Sequence, residues 1–290
     1  MNDARHAPRS RDESAPPTTR PCELSVLVPT NSRPASLRKA LEAWGSNGRD
    51  GCQVVVLNST PSHAGEAVHS AYRRVFSDHP YVKVLSFDES VSPGRARRIL
   101  AEQCTTSHLL FMDDDHEIQP GALAALEEAM ATASLDIVAG RWIDRTQDRA
   151  LCFNHAEGWV DGSRVLIKAP IRPVKSLAGS VIMADEVLAT MLCSRSVFDR
   201  VNFDDRYDFY FELVDFFRSC KLASVRVGVA YDAVFVHQPR AYQGQSKRAT
   251  QRRSVDEERF RDKWGLVPVL ALAQDRRSSR IARAVQRIKR

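Results

Sequence analysis

Residues 108–115 read HLLFMDDD, an apolar strand that runs directly into three adjacent carboxylates. In an extended segment, side chains two residues apart point to the same side, so Asp113 and Asp115 can converge on one ion. Carboxylates held this close repel one another, and a divalent cation removes that cost. Their hard oxygens are suited to Mg²⁺ or Mn²⁺. The alternative is a solvated acidic turn ahead of a helix at Pro120, where negative charge is also favourable.

On either side of this stretch, short apolar strands alternate with helical segments. We predict strands at residues 24–28, 53–57, 82–85, 108–112 and 136–139, and helices at 34–44, 64–76, 93–104 and 120–131. This alternation is typical of an α/β fold whose central, mostly parallel sheet is flanked by helices. Ligands bind such sheets at the carboxyl ends of the strands, which is where Pro29, Thr30, Asn58 and the three aspartates fall.

The second half of the chain is less regular. We expect mixed strands and loops over residues 141–181, a helix over 186–199, a short helix over 215–221, and a hairpin or two strands over 225–236. The assignment to the α/β class therefore depends on the first half.

A basic segment, Gly94 to Arg98, opens the helix that precedes the strand HLLFM. A glycine at a helix start permits close backbone approach. Together with Arg95 and Arg97, the helix N-terminus suits an anion such as a phosphate. The alternative is an ordinary surface helix with exposed arginines.

Two carboxylates and a histidine in the second half are further candidates for chemistry. Glu212 and Asp215 lie three residues apart, so on a helix they share one face, from which a carboxylate could take a substrate proton. They could also be ordinary acids near a helix N-terminus. His237 follows the apolar run VFV, and its neutral imidazole either ligates a metal or has a structural role.

The composition is that of a globular protein, with 290 residues of which 43% are hydrophobic and 27% charged. No apolar run approaches the roughly 18 residues that span a bilayer. Residues 1–21 lack the apolar core of a secretory signal, so we expect a disordered arm and a cytoplasmic protein. The six cysteines are scattered without a CxxC pair, and we expect reduced thiols rather than a zinc site or disulfides.

Positive charge is concentrated at the C-terminus. The net charge is +6, but residues 240–290 alone carry fifteen Lys and Arg against five Asp and Glu. Residues 274–290 place small apolar side chains at helical intervals among arginines, which predicts a basic amphipathic helix. Such a helix either contacts an anionic membrane surface, here the inner one, or docks on the domain. The basic residues have few aromatic residues among them, so we expect no nucleic-acid partner.

Several segments, taken in order, resemble the inverting glycosyltransferases of family 2, which have a GT-A fold. They are LSVLVPTNSRPASLRKAL (24–41), QVVVLNSTP (53–61), residues 92–130 around the three aspartates, FELVDFFRSC (211–220), VFVHQP (234–239) and ERFRDKWG (258–265). Residues 93–136 also resemble the β-1,4-N-acetylgalactosaminyltransferase-like group. With the GT-A catalytic domain that the resemblance implies over residues 22–239, we expect a disordered arm over 1–21 and a basic helical extension over 240–290.

The resemblance also implies roles for the residues that match the family motifs. The nucleotide-sugar would be bound by Pro29, Thr30, Arg33, Asn58, Gly94, Arg95, Arg97, Asp113 and Asp114. Asn58 stands where the family usually has an aspartate that binds the uracil side. Asp115 would be the principal ligand of Mn²⁺ or Mg²⁺, with Asp113 and His237 as further ligands. The segment Asp204 to Arg206 resembles a loop near the sugars.

The implied reaction moves a hexosyl or N-acetylhexosaminyl group from a nucleotide-diphosphate sugar, with UDP favoured, to an acceptor hydroxyl with inversion. The acceptor could be a saccharide, a lipid-linked molecule or a small molecule. We favour Asp215 as the catalytic base, and an alternative register gives that role to Glu212. Trp142 and Trp159 either stack on a sugar or pack in the core. Two other interpretations of the function remain: a nucleotidyltransferase, and a degenerate GT-A module that binds nucleotide without turnover.

Overall fold

The structure is a computed structural model, and it describes residues 23–144, 147–149, 152–160, 162–171, 181–208, 211–238 and 247–270. Its strands are β1 (Leu24–Thr30), β2 (Gln53–Asn58), β3 (Val82–Ser86), β4 (His108–Phe111), β5 (His116–Ile118), β6 (Ile137–Asp144), β7 (Gln147–Arg149), β8 (Phe153–Val160), β9 (Ser163–Pro170), β10 (Val181–Met183), β11 (Met191–Ser194), β12 (Val227–His237) and β13 (Val267–Leu270). Its α-helices are α1 (Pro34–Asn47), α2 (Glu66–Asp78), α3 (Pro93–Glu102), α4 (Ala122–Thr132), α5 (Phe211–Leu222) and α6 (Lys247–Trp264).

One large sheet forms the centre of the part of the chain described here. Its main path runs β10-β12-β6-β11-β4-β1-β2-β3, with β5 added beside β12 and β7 beside β6. The order β4-β1-β2-β3 is parallel throughout, as the alternation of strands and helices predicts. A second, smaller sheet has the order β13-β9-β8.

Both faces of the parallel strands β1, β2 and β4 are buried, whereas β3 at the edge is partly exposed. On β1, Val26 and Val28 join a core with α1, α2 and α4, whereas Leu27 joins a second core with α3 and α5. Successive side chains of a strand point to opposite faces, so a continuous apolar run fills both cores. This packing fixes α3 and α5 on the same face, and these two helices carry Arg97 and Glu212.

The prediction of a helix over residues 186–199 is wrong. Residues 191–194 form β11, which pairs antiparallel with both β4 and β6, and residues 195–197 form a single 3₁₀ turn. A buried run of four residues shows no periodicity that separates a strand from a helix. The central sheet is therefore mixed at this point.

Residues 227–237 form one long strand rather than a hairpin or two strands. The register of β12 on β6 shifts between Ala230 and Val234, which is a local irregularity within a continuous strand. Beyond it, β12 pairs with β5 so that His237 lies opposite His116.

The expectation that all cysteines are reduced is also wrong. Cys52, at the entry to β2, is disulfide-bonded, whereas Cys104, Cys152, Cys193 and Cys220 are free and buried. The scattered spacing of the cysteines, without a CxxC pair, gives no signal of this bridge.

The described part of the C-terminal extension packs on the domain that precedes it. Helix α6 contacts α5, and β13 extends the small sheet by pairing with β9. The predicted arm at residues 1–21 and the basic helix at 274–290 lie outside the described residues. Among the helices that are described, none is long and apolar enough to cross a membrane.

Candidate active site

A cavity of about 450 Å³ lies at the carboxyl ends of the parallel strands. Loops after β1, β2 and β4 form one side of it, and the start of α3, the start of α5 and the end of β12 form the other. Eight residues predicted from the sequence line it: Pro29, Thr30, Arg33, Arg97, Asp113, Asp115, Glu212 and His237. The fold therefore brings most of the predicted site to one place.

Three side chains form a group that could hold a metal ion, and two of them, Asp115 and His237, line the cavity. One ligand atom from each of Asp115, His116 and His237 lies within 4.8 Å of the other two. Asp115 Oδ2 and His237 Nε2 are 3.9 Å apart. The antiparallel register of β5 on β12 sets the two histidines side by side.

The chemistry of His116 fits a metal ligand. Its side chain is fully buried, and Nδ1 bonds to the hydroxyl of Thr190, whereas Nε2 has no hydrogen-bond partner in the described structure. Burial lowers the pKa of His116 to about 4, so the ring is neutral and keeps a lone pair. A neutral imidazole held by a hydrogen bond at its other nitrogen is the usual form of a metal-binding histidine.

Asp113 lies outside this group of three ligands. Its Oδ1 accepts a hydrogen bond from Arg97 Nη2 at 3.0 Å. Burial acts to raise the pKa of Asp113, but the charge of Arg97 outweighs it, and the pKa lies below its usual value. Asp113 is therefore an ionised carboxylate paired with Arg97 on the cavity wall.

Asp114, the middle carboxylate, is fully buried and does not line the cavity. It accepts a hydrogen bond from the hydroxyl of Thr30 at 2.6 Å and forms an ion pair with Arg33. Burial raises the pKa of Asp114 to about 7, against the effect of Arg33. These contacts make Asp114 a structural anchor of the loop after β1.

Arg33 connects this anchor with the metal group. Its guanidinium pairs with Asp114 and, at 2.6 Å, with Asp115 Oδ2. Burial opposes the charged form of Arg33, but the neighbouring aspartates outweigh it and raise its pKa. Arg33 therefore balances the negative charge of the DDD segment.

Glu212 faces the cavity from the first turn of α5. Its side chain is 5% exposed, its Oε1 lies 3.3 Å from Arg97 Nη1, and its Oε2 has no hydrogen-bond partner among the described residues. Burial raises the pKa of Glu212, and Arg97 only partly offsets this. A carboxylate with a free oxygen and a raised pKa is suited to accept a proton.

Gly94 explains how α3 and α5 approach so closely. A Cβ at position 94 would lie 2.9 Å from Glu212 Cβ and 3.3 Å from the carbonyl oxygen of Asp204. The glycine thus makes room for α5 rather than lining the cavity. Arg95, in the same turn, is half-exposed and lies 3.9 Å from Glu89.

Asp215, the residue favoured as base from the sequence, lies away from the cavity. It is fully buried, and its carboxylate accepts hydrogen bonds from Lys263 Nζ at 2.9 Å and Trp264 Nε1 at 2.7 Å. The hydroxyl of Tyr207 lies 3.3 Å away. These partners occupy both oxygens of Asp215.

Of the remaining predicted residues, Trp142 lines the cavity, whereas Asn58 and Trp159 do not. Asn58 uses its side-chain oxygen to accept hydrogen bonds from Thr60, and its neighbour Ser59 lines the cavity instead. Trp142 lines the cavity and packs on the rings of His116 and His237, at centroid distances of 4.0 and 5.2 Å. Trp159 is 67% exposed on the small sheet.

Sequence reasoning missed His116 and the residues that support it. His116 directly follows the three aspartates, and that position was the available signal. Thr190 and the lining residues Leu188 and Ala189 precede β11, where a helix was expected. The sequence alone does not predict their contribution, because their position depends on the pairing of β11 with β4 and β6.

Comparison with known proteins identifies the family. The model of glycosyl transferase family 2 matches residues 25–201, which is more than half of the chain. The chain therefore belongs to glycosyl transferase family 2, and the expected family is confirmed. No curated protein matches this sequence.

Solved structures confirm the GT-A fold. S. aureus TarS residues 1–349 in complex with UDP-GlcNAc aligns with a TM-score of 0.54 and 15% identity, over 82% of this chain and 66% of that one. GalNAc-T7 with UDP, GalNAc and Mn²⁺ aligns with a TM-score of 0.59 and 13% identity, over 81% of this chain and 47% of that one. The chain spans 60% of another TarS 1–349 structure and 36% of a longer TarS structure. At these identities the likeness shows the fold alone.

Proposed function

We propose that this glycosyltransferase moves a hexosyl or N-acetylhexosaminyl group from a UDP-sugar to an acceptor hydroxyl, with inversion and with a divalent cation. The observation that carries the proposal is one cavity lined by Asp115 and His237, two members of the three-residue cation group, and by the buried carboxylate of Glu212. The UDP-GlcNAc and the UDP with Mn²⁺ named in the two related structures support the choice of donor.

Asp115, His116 and His237 would hold the cation. Two imidazole nitrogens with one carboxylate favour Mn²⁺ over Mg²⁺, because Mg²⁺ prefers oxygen ligands and retains water. When bound, the ion supplies positive charge for the diphosphate leaving group. Asp113 is not required as a ligand in this proposal, because it lies outside the group of three ligand atoms that come within 4.8 Å of one another.

The loops after β1 and β2 would bind the nucleotide. Pro29, Thr30, Arg33 and Asp113 line the same cavity as Asp115 and His237 of the cation group. Arg33 and Arg97 both line it and carry the positive charge to contact a phosphate. Three further residues would act indirectly, because they do not line the cavity but pack next to residues that do: Asn58, Gly94 and Asp114. Arg95 does not line the cavity either.

Glu212 would be the base of the transfer. Its carboxylate takes the proton from the acceptor hydroxyl as that oxygen forms its bond to the anomeric carbon. The bond from the anomeric carbon to the diphosphate oxygen breaks on the opposite face, and UDP leaves with the electron pair. Arg97 holds Glu212 and Asp113 at fixed positions during this exchange.

Calorimetry with UDP, GDP, dTDP and CDP, each with and without Mn²⁺, tests the donor site on wild type and Asp115→Ala. We expect UDP to bind only with Mn²⁺, and the variant to lose at least about 10-fold in affinity. Asp78→Ala is the matched control, because Asp78 is exposed and its ion pair among the described residues is with Arg38 on the surface. Nucleotide binding that is independent of both metal and Asp115 would contradict the assigned site.

Proton NMR of the product of an active donor tests inversion. An α-linked UDP-sugar should give a β-linked product, and an α-linked product would contradict inversion. Nucleotide binding without any transfer or donor hydrolysis would instead favour the degenerate nucleotide-binding module.

A further inference from the structure

The described residues of α6 hold the base-bearing helix through one connected set of polar contacts. Lys263 Nζ lies 2.8 Å from Asp215 Oδ1 and 2.9 Å from Asp204 Oδ2, so it joins α5 to the loop before it. Trp264 Nε1 donates a second hydrogen bond to Asp215. We refer to Lys263, Trp264 and Asp256 as the C-terminal clamp.

Asp256 holds the same loop from further along α6. Its side chain is fully buried, and both carboxylate oxygens lie 3.0 Å from the backbone nitrogen of Asp208, which donates to them. Phe260, one turn on, is buried against Phe211 at the first position of α5, with ring centroids 5.8 Å apart. Asp256 therefore holds the loop before α5, and Phe260 holds the start of α5.

The clamp is connected to Glu212 by helix geometry. Asp215 lies three residues after Glu212, so the two share one side of α5, and anchoring Asp215 fixes the rotation of the helix about its axis. The loop that Lys263 holds through Asp204 also packs on Gly94, which in turn packs on Glu212. Both sets of contacts therefore connect the clamp to Glu212, whose carboxylate faces the cavity.

We propose that the C-terminal clamp is a positioning element for catalysis, and that Asp215 serves as its anchor on α5 rather than as the base. The clamp lies beyond residues 25–201, the segment that matches the family model. This inference rests on the proposed function, because it assigns to α6 the orientation of Glu212 toward an acceptor. Misplacing a catalytic group by about 1 Å costs about 100-fold in rate, which sets the scale of the effect.

Lys263→Met tests the proposal, with Lys263→Arg as the conservative variant and Arg261→Met as the control. Arg261 is on the same helix, half-exposed, and its ion pair is with Glu258 of that helix. We expect Lys263→Met to lower kcat by about 10- to 100-fold, with KM for the donor and Kd for UDP within about threefold of wild type. Lys263→Arg should recover most of kcat, and Arg261→Met should match wild type.

Trp264→Phe provides a second variant. It keeps an aromatic ring beside Phe260 and removes the indole N–H that bonds to Asp215, together with one of the two fused rings. We expect kcat to fall without a change in KM, and by less than in Lys263→Met. Hydrogen exchange of residues 211–222 should quicken in both variants while exchange in α1 stays unchanged.

The outcomes separate the two proposals. Unchanged kcat in folded Lys263→Met and Trp264→Phe would overturn the positioning role while the glycosyltransferase activity stands. Equal losses in kcat, UDP affinity and melting temperature would also overturn it, because they indicate a general structural role. A wild-type protein that transfers no sugar from any UDP-sugar would overturn the proposed function, and the positioning role with it.

Discussion

His116 and His237 lie directly opposite each other in the antiparallel pairing of β5 with β12, with ring centroids 5.0 Å apart. Because one residue follows the DDD segment and the other ends the last strand of the large sheet, this pairing joins distant parts of the chain into one candidate cation group.

Replacing His116 should weaken cation binding. We expect His116→Gln to raise the Mn²⁺ dissociation constant by at least about 10-fold, because the substitution removes the buried imidazole nitrogen. Titration of Mn²⁺ by electron paramagnetic resonance measures this directly. His63→Gln is the control, since His63 is exposed in a turn before α2. Equal Mn²⁺ affinity in both variants would exclude His116 as a ligand.

Thr190 should influence the cation through His116 alone. The hydroxyl of Thr190 contacts His116 Nδ1 and orients the ring. We expect Thr190→Val to reduce Mn²⁺ affinity by about 10-fold and Thr190→Ser to retain it, as is typical for partners of metal-binding histidines. The same titration applies, and comparable losses in both variants would show that packing, not the hydroxyl, matters.

The pH dependence of transfer should reflect the raised pKa of Glu212. Burial is the main cause of that rise. A base works only when deprotonated, so kcat should fall as pH drops through a pKa above the ordinary glutamate value of 4.5. A profile of kcat against pH under saturating donor and Mn²⁺ measures the acidic limb. A flat profile down to the ordinary glutamate range would contradict the role of Glu212.

Gly94→Ala should impair catalysis by displacing Glu212. The added Cβ would come within 2.9 Å of Glu212 Cβ, a distance that requires α3 or α5 to shift. We expect kcat to fall by about 10- to 100-fold, with UDP affinity less affected.

Gly45→Ala is the matched control for that variant, because the nearest atom to a Cβ at position 45 of α1 is 3.9 Å away. It should stabilise the protein by about 0.5–1 kcal/mol in chemical denaturation and leave kcat unchanged. A Gly94→Ala variant as active as Gly45→Ala would show that the contact with Glu212 tolerates the methyl group.

The sequence predicts much of the parallel half of the fold because its signals are local. QVVVL and HLLFM are apolar runs bounded by polar turns, and each forms a strand in the expected order. The carboxyl-end rule then brings Asp113 and Asp115 to the cavity. Local patterns do not indicate β11, since its four residues acquire a strand identity only by pairing with β4 and β6.

Local sequence patterns are also insufficient to choose between Glu212 and Asp215 as the catalytic base. Three-residue spacing places both on one side of α5, but it does not indicate which neighbours they meet. Arg97 and the cavity lie beside Glu212, whereas Lys263 and Trp264 cover Asp215 from a helix about fifty residues later. Only tertiary packing separates a carboxylate that faces substrate from one that holds a helix.

The most direct test of the assigned base compares UDP binding and transfer in Glu212→Gln. We expect Mn²⁺-dependent UDP affinity within about threefold of wild type, and kcat lower by about 100- to 10,000-fold, the usual contribution of a general base. Retention of kcat in Glu212→Gln would show that Glu212 is not the base in the cavity lined by Asp115 and His237.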